Sequence, residues 1–264
     1  MSAAVQPYDE YVVFCEGVHR LAGIDLLQYK RGQMERRLRA LAERRGFGPL
    51  SDYLAALGRD TDELDRFLDR VTINVSQLWR NPEQWELVGR AIVPELAATR
   101  RIRAWSAGCS YGAESYTAAA VCLEHAPRAT RVEIRGTDID PRMIERAREG
   151  VFSEDDARSV PPASLARWFE PAAGGHRANA ELRDAVSFER ADLLSMPVRT
   201  GAYDLVLCRN VVIYLTERVR DDLHRRLAAA LRPGGYLLVG STERVSWPSQ
   251  LGLRLVHPFV YRKA

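Results

Sequence analysis

The chain is poor in the features that would place it quickly. Its 264 residues include four cysteines, Cys15, Cys109, Cys122 and Cys208, with no C-x-x-C pair and no metal-like spacing with histidine. That pattern argues against a zinc site, predicts no bound metal, and fits free thiols in a reducing compartment. Neither sign of charge dominates. The formal net charge is +3, so no global field points to nucleic acid or to an anionic membrane, and any electrostatic recognition must come from a local patch. No apolar run approaches the roughly 18 to 20 residues that a spanning helix needs. The opening "MSAAVQPYDEYVVFCEGV" has no basic stretch ahead of an apolar core, so a soluble cytoplasmic protein without membrane insertion is expected. No internal repeat or low-complexity tract is visible.

What is present divides into two halves. Residues 1 to about 70 hold helix-period segments separated by turn signals such as "RGFGPLSDY", in which Ser51 is placed to cap the following helix. In "YKRGQMERRLRALAERRG", Met34, Leu38 and Leu41 form an apolar stripe and Gly46 stops the helix. Lys30, Arg37 and Arg44 are seven apart and align along one flank, while Arg36 and Arg39 point further round. Such a flank is either a solvated basic face or a docking surface for an acidic helical partner or nucleic acid.

From about residue 100, strands and helices alternate, the signature of a parallel sheet wound on both faces. Strands are expected at 102–107, 132–137, 186–190 and 203–210, with a helix at 216–230 before "RPGGYLLVGST". The stretch between the helix opened by Pro141 and the strand at 186 is too polar and too broken by proline and glycine for one crossover helix, and reads as a small inserted subdomain.

In such a sheet the ligand sits at the carboxyl ends of the strands. "IRAWSAGCSYGAES" runs from a strand into a small-residue turn and a helix, yet G-x-G-x-x-G is missing: the small positions are Ser106, Gly108, Ser110 and Gly112. The acid Glu114 stands just inside the helix, whose N-terminal end is electropositive. In "GTDIDP" a strand ends at Asp138, suited to accept from both hydroxyls of a ribose, while Asp140 before Pro141 is explained as a helix cap. In "ERADLLSMP", Asp192 is placed to accept from an adenine amine. A ribose acid and an adenine acceptor would serve NAD as well as S-adenosylmethionine. The missing phosphate grip favours the methyl donor, since Glu114 would repel a pyrophosphate and attract an ammonium and a sulfonium, while other nucleotide folds stay open on the pattern alone.

The basic helix 30–45, "TINVSQLWRNPEQW", "WSAGCSYGAESYTAA", "GTDIDPRMIERAREGVF", "YDLVLCRNVVIYL" and "LRPGGYLLVGSTE", in this order, together resemble one family, the chemotaxis receptor glutamate O-methyltransferases (CheR). The resemblance implies an α/β class I S-adenosylmethionine-dependent methyltransferase, a Rossmann-like doubly wound sheet with an N-terminal helical domain and a small inserted β-subdomain. It implies a helical domain at 1–70, a linker at 71–98 contributing to the cofactor site, and a methyltransferase domain at 99–264 with its insert at about 151–187. The family's Asn, Thr and Arg that close over the cofactor match Asn74, Ser76 and Arg80, the serine keeping the hydroxyl. Gly108 and Glu114 match its glycine turn and acid, Asp138 its ribose acid, and Asp192 with Leu193 stands where the family often has Asn-Leu. Asn210 and Val211 match residues lining the cofactor, and Tyr214 lies near the transferred methyl by the same comparison. Without the family, Asn210 reads as a turn residue and Tyr214 as core.

The resemblance further implies methyl transfer from S-adenosyl-L-methionine, leaving S-adenosyl-L-homocysteine, to glutamates on the cytoplasmic domain of chemoreceptors, by a monomer that needs no nucleic acid. A substrate glutamate with its ordinary pKa near ~4.3 is already ionised at neutral pH, so no general base is required. Catalysis reduces to aiming, for which Arg80 and Tyr214 are the candidates. The basic helix resembles the element that docks on the receptor, with Arg37, Arg39 and Arg44 as its docking residues. The insert resembles a β-subdomain that in some members captures a receptor tail by strand addition; here it is shorter, which favours direct docking. The alternatives are a methyltransferase of the same fold acting on a different protein, RNA or small molecule, and a non-catalytic sensor of the methyl donor.

Overall fold

The structure is a computed structural model, which describes residues 9–71 and 76–264. They belong to two compact units, Met1–Ile73 with Tyr214–Thr216, and Asn74–Ile213 with Glu217–Ala264. Among the described residues no helix is long and apolar enough to cross a membrane.

The smaller unit is helical: α1 (Glu10–Ala22), α2 (Arg31–Arg44), α3 (Leu50–Leu57) and α4 (Thr61–Val71). Asp9 caps α1 by accepting from the amides of Tyr11 and Val12, and Gly23 ends it in the left-handed region at φ 74°. The stripe foreseen on α2 is buried: Met34, Leu38 and Leu41 point into the core with Ala42. Phe14, Tyr53 and Phe67 pack mutually with ring centroids 5.8 to 6.1 Å apart, joining α1, α3 and α4. Ser51 does not cap α3. The helix begins one residue earlier, at Leu50, and a remote acid does the capping: Glu10 Oε1 accepts from Leu50 N at 2.7 Å.

In the larger unit α5 (Pro82–Leu87) continues through a π turn (Val88–Ile92) into α6 (Val93–Leu96). Next come β1 (Arg101–Ala107), α7 (Ala113–His125), β2 (Arg131–Asp138) and α8 (Pro141–Glu149). The inserted segment is β3 (Val151–Phe152), α9 (Glu154–Ala157), α10 (Pro162–Trp168), β4 (Phe169–Ala172), β5 (Gly175–Ala178) and α11 (Ala180–Asp184). It forms a three-stranded antiparallel sheet in the order β3-β5-β4. The buried Trp168 ties this segment to α7 through a 2.7 Å bond to Glu124.

The chain returns through β6 (Val186–Arg190), β7 (Tyr203–Cys208), α12 (Glu217–Ala230), β8 (Leu231–Val239), β9 (Leu253–His257) and β10 (Val260–Lys263). The main sheet has the order β6-β2-β1-β7-β8-β10-β9, parallel from β6 to β8, with β10 antiparallel to both neighbours. β7 is buried at every position, and its sequence is apolar but for Asp204, which accepts from Arg103 N at 2.7 Å. Gly136 lets α7 and β6 approach β2: a Cβ there would meet Phe188 at 2.6 Å and Ser115 Oγ at 2.9 Å. The direction of winding reverses between β1 and β7, the switch point at which sheets of this kind bind their ligands.

Candidate functional site

The turn after β1 is built for close approach. Gly108, Ser110 and Gly112 all have positive φ, at 78°, 50° and 88°. The amides of Gly108 and Cys109 both donate to the Thr137 carbonyl at 2.9 Å, fastening the turn to the end of β2. A Cβ on Gly108 would lie 2.6 Å from Val211 Cγ2, so glycine is required by space as well as by torsion.

Asp138, at the tip of β2, accepts from Ser110 N at 2.8 Å and from Asp140 N at 3.0 Å. Burial raises its pKa, and the backbone amides oppose that rise. Asp140 is the helix cap foreseen: it accepts from Arg142 N at 3.0 Å and Pro141 opens α8. Ser110 Oγ is itself buried with no hydrogen-bond partner among the described residues, so only the amide of this residue is tied to Asp138.

Glu114 lies in the first turn of α7. Its Oε1 accepts from Ser106 Oγ at 2.8 Å, and its Oε2 faces Arg209 Nη1 at 3.4 Å. Burial raises its pKa, while Arg209 and the Ser106 hydroxyl pull it down. Arg209, just beyond β7, has a side chain only 2% exposed. Its Nη2 donates to the Arg80 carbonyl at 2.7 Å and to Asn81 Oδ1 at 3.0 Å, and its guanidinium carbon lies 5.2 Å from the ring centroid of Trp85. The arginine thus joins Glu114 to the segment carrying Arg80. Sequence reasoning takes Asn210 and Val211 from "CRNV" and passes over Arg209; an arginine closing the apolar run "LVLC" is the available signal of a buried acid.

The segment at 76–80 is held by several ties. The Ser76 carbonyl accepts from Tyr111 Oη, Leu78 N donates to the Asp156 carbonyl at 3.1 Å, and Trp79 N donates to Thr117 Oγ1 at 3.1 Å. Asn74 lies outside the described residues. The Asp192 loop is tied to Asp138 itself, whose carbonyl accepts from Ala191 N at 2.8 Å. Asp192 also closes its own turn, accepting from Leu194 N and Ser195 Oγ at 2.9 Å, and the Leu193 carbonyl accepts from Arg226 Nε at 3.1 Å. Asn210 is left-handed at φ 60°, and Val211 packs at Gly108. The fold therefore gathers Gly108, Glu114, Asp138, Asp192, Asn210 and Val211 at the strand tips, with the Arg80 backbone linked through Arg209.

Tyr214 groups with the helical unit, where its carbonyl accepts from Lys30 N at 2.9 Å and Leu215 bridges Tyr29. Of the arginines foreseen for docking, Arg37 Nε donates to the Arg70 carbonyl at 2.8 Å and so braces the end of α4. Arg39 is engaged by Glu10 and Glu35, and Arg44 is exposed and donates to Ala40 of its own helix.

The chemistry of this donor set fits a nucleoside with cationic groups. Two half-buried acids flank a small-residue turn, one held by an amide of the turn itself and one backed by a buried guanidinium.

Residues 74–255 match the family described as "CheR methyltransferase, SAM binding domain", and residues 9–72 match "CheR methyltransferase, all-alpha domain". The chain is 31% identical over 256 residues to a chemotaxis protein methyltransferase of Listeria innocua, covering 96% of this chain and 97% of that one. It is 30% identical over 255 residues to chemotaxis protein methyltransferase 1 of Vibrio cholerae, covering 93% of each. An uncharacterized 104.1 kDa protein of Rhodobacter capsulatus is 35% identical over 227 residues, 83% of this chain and 24% of that longer one.

Proposed function

The chain belongs to the CheR methyltransferase family, and from that premise we propose that it methylates glutamate side chains on the cytoplasmic domains of chemotaxis receptors. It is a class I methyltransferase that uses S-adenosyl-L-methionine. The observation that carries the reading is the pair of half-buried acids with raised pKa values, Glu114 and Asp138, on either side of the turn at Gly108–Gly112.

The donor, when bound, supplies a methyl group on a sulfonium whose departure needs no proton. The chain's task is to hold and to dry. Asp138, steadied by the Ser110 amide, takes the ribose hydroxyls; Glu114 takes the ammonium of the amino acid end; Asp192 takes the adenine amine; Leu193, Asn210 and Val211 line the nucleoside. Asn74, Ser76 and Arg80 are assigned to the closing segment by the family likeness. Arg80, and Tyr214 by the same likeness, aim the substrate carboxylate, a role of orientation rather than of proton transfer. Too firm a grip on that carboxylate would stabilise the ground state and slow transfer, since the charges of nucleophile and donor cancel as the bond forms. On the substrate side, α2 is the docking surface for an acidic helix, with Arg37, Arg39 and Arg44 on it. The short insert favours docking without capture of a tail peptide.

The test is transfer of label from the methyl donor to a purified receptor cytoplasmic domain, scored as methanol released by base. Base-labile label on the receptor, abolished by Arg80→Ala, is the expected result. Label that appears only in RNA, in a small molecule or on another protein would overturn the receptor as substrate. Donor binding with no transfer to any of these would leave a sensor.

A further inference from the structure

Glu243 lies just beyond β8 and has no place among the residues assigned to donor or substrate. Its side chain is buried, the residue being 3% exposed, and its partners are three backbone amides from two strand ends. Oε2 accepts from Gly240 N at 2.7 Å and from Asn210 N at 2.8 Å; Oε1 accepts from Val212 N at 3.1 Å. The amide of Glu243 itself donates back to the Gly240 carbonyl at 2.9 Å, closing the turn that presents the carboxylate.

The amides it gathers flank Val211, whose Cγ2 fills the space beside Gly108. They also bracket Asn210 at φ 60°, a left-handed turn that asparagine adopts more readily than other residues with side chains. Gly240 gives an independent sign of the same clamp. Its φ is not positive, so torsion does not demand glycine; a Cβ there would lie 2.6 Å from Glu243 Oε2 and 3.0 Å from Asn210 N. The position is bare because carboxylate and loop pass through that space.

We propose that Glu243 is a positioning residue of the cofactor cleft, one that sets the Asn210–Val212 loop against the glycine turn through three backbone amides. It touches neither donor nor substrate in this role. Glutamine cannot replace it: three N–H groups need acceptors on both terminal atoms, and an amide nitrogen would set donor against donor. The inference rests on the reading of the cleft as a donor site, and the experiment separates the two.

Calorimetry of S-adenosylhomocysteine with the native protein comes first, and an absence of binding there would sink the cofactor reading. With that binding in place, Glu243→Gln and Gly240→Ala are titrated alongside. Both are expected to bind at least tenfold more weakly, with the KM for the methyl donor raised in proportion and kcat at saturating donor within about threefold of native. A residue that only supported the fold would lower the melting temperature and leave that split unmoved. Folded variants with affinity within twofold of native would overturn the proposal. Should neither variant fold, amide hydrogen exchange on the native protein decides: the Asn210 and Val212 amides must gain protection when the ligand binds, and unchanged exchange overturns it.

Discussion

Arg209→Met removes the cation paired with Glu114 while leaving an apolar stem to fill most of its volume. The change deletes the contact to Glu114 Oε2 at 3.4 Å and the bonds to the Arg80 carbonyl and Asn81 Oδ1. Removing one partner of a buried ion pair costs about 3–5 kcal/mol. The Glu114 side chain retains 12% exposure and the pair is not at its shortest, so the lower end applies, about 3 kcal/mol near pH 8. In a protein of this size that is roughly 6–12 °C of melting temperature. The loss must also depend on pH. Burial already raises the Glu114 pKa and Arg209 opposes it, so without the arginine the folded protein holds a proton at pH values where the unfolded chain has released it. Stability of the variant then falls as pH rises from the ordinary carboxylate range through the raised pKa, and its deficit against native is smaller at pH 5.5 than at pH 8. Urea melts of both proteins across that range measure the difference. A deficit that is flat with pH, or below about 1 kcal/mol throughout, would refute the assignment of Glu114 as the charge Arg209 serves. Arg209→Met combined with Glu114→Gln should recover most of the loss, because the stranded acid is gone.

His224 on α12 is 1% exposed, neither ring nitrogen has a hydrogen-bond partner among the described residues, and burial pushes its pKa down to about 4. The unfolded chain therefore takes up a proton first, and stability is lost as pH falls from about 6.5 towards 4, by at most roughly 3 kcal/mol; His224→Leu should flatten that limb of the melting profile. Glu10→Ala unpins the start of α3 and should cost about 1–2 kcal/mol, whereas Ser51→Ala should stay within about 0.5 kcal/mol; equal losses would restore Ser51 as the cap. Arg44→Glu should slow methylation of a receptor fragment at low salt with donor affinity unchanged, and the difference should shrink as ionic strength rises past roughly 0.15 M. Arg37→Ala would lower stability as well, since that side chain braces the Arg70 carbonyl.

The legibility of each feature in the sequence depends on the range over which it is encoded. The strands expected at 102–107, 132–137 and 186–190 stand at Arg101–Ala107, Arg131–Asp138 and Val186–Arg190, because an apolar run bounded by turn residues is a local signal. Asp138 and Asp140 can be told apart for the same reason: Pro141 marks the neighbouring helix start, and the acid it leaves unexplained is the one at the strand tip. The strand expected to reach 210 ends at Cys208, since Arg209 turns inward to Glu114 and Asn210 is left-handed. The partners are not legible in this way. Arg209 meets an acid 95 positions away, Glu243 gathers amides up to 33 positions away, and Glu10 caps a helix 40 positions on. A buried charge at the end of an apolar strand announces that a counter-charge exists, since burial without one is too costly. Which acid answers it depends on the strand order that sets β7 beside β1, and that order is a property of the whole sheet rather than of any window within it.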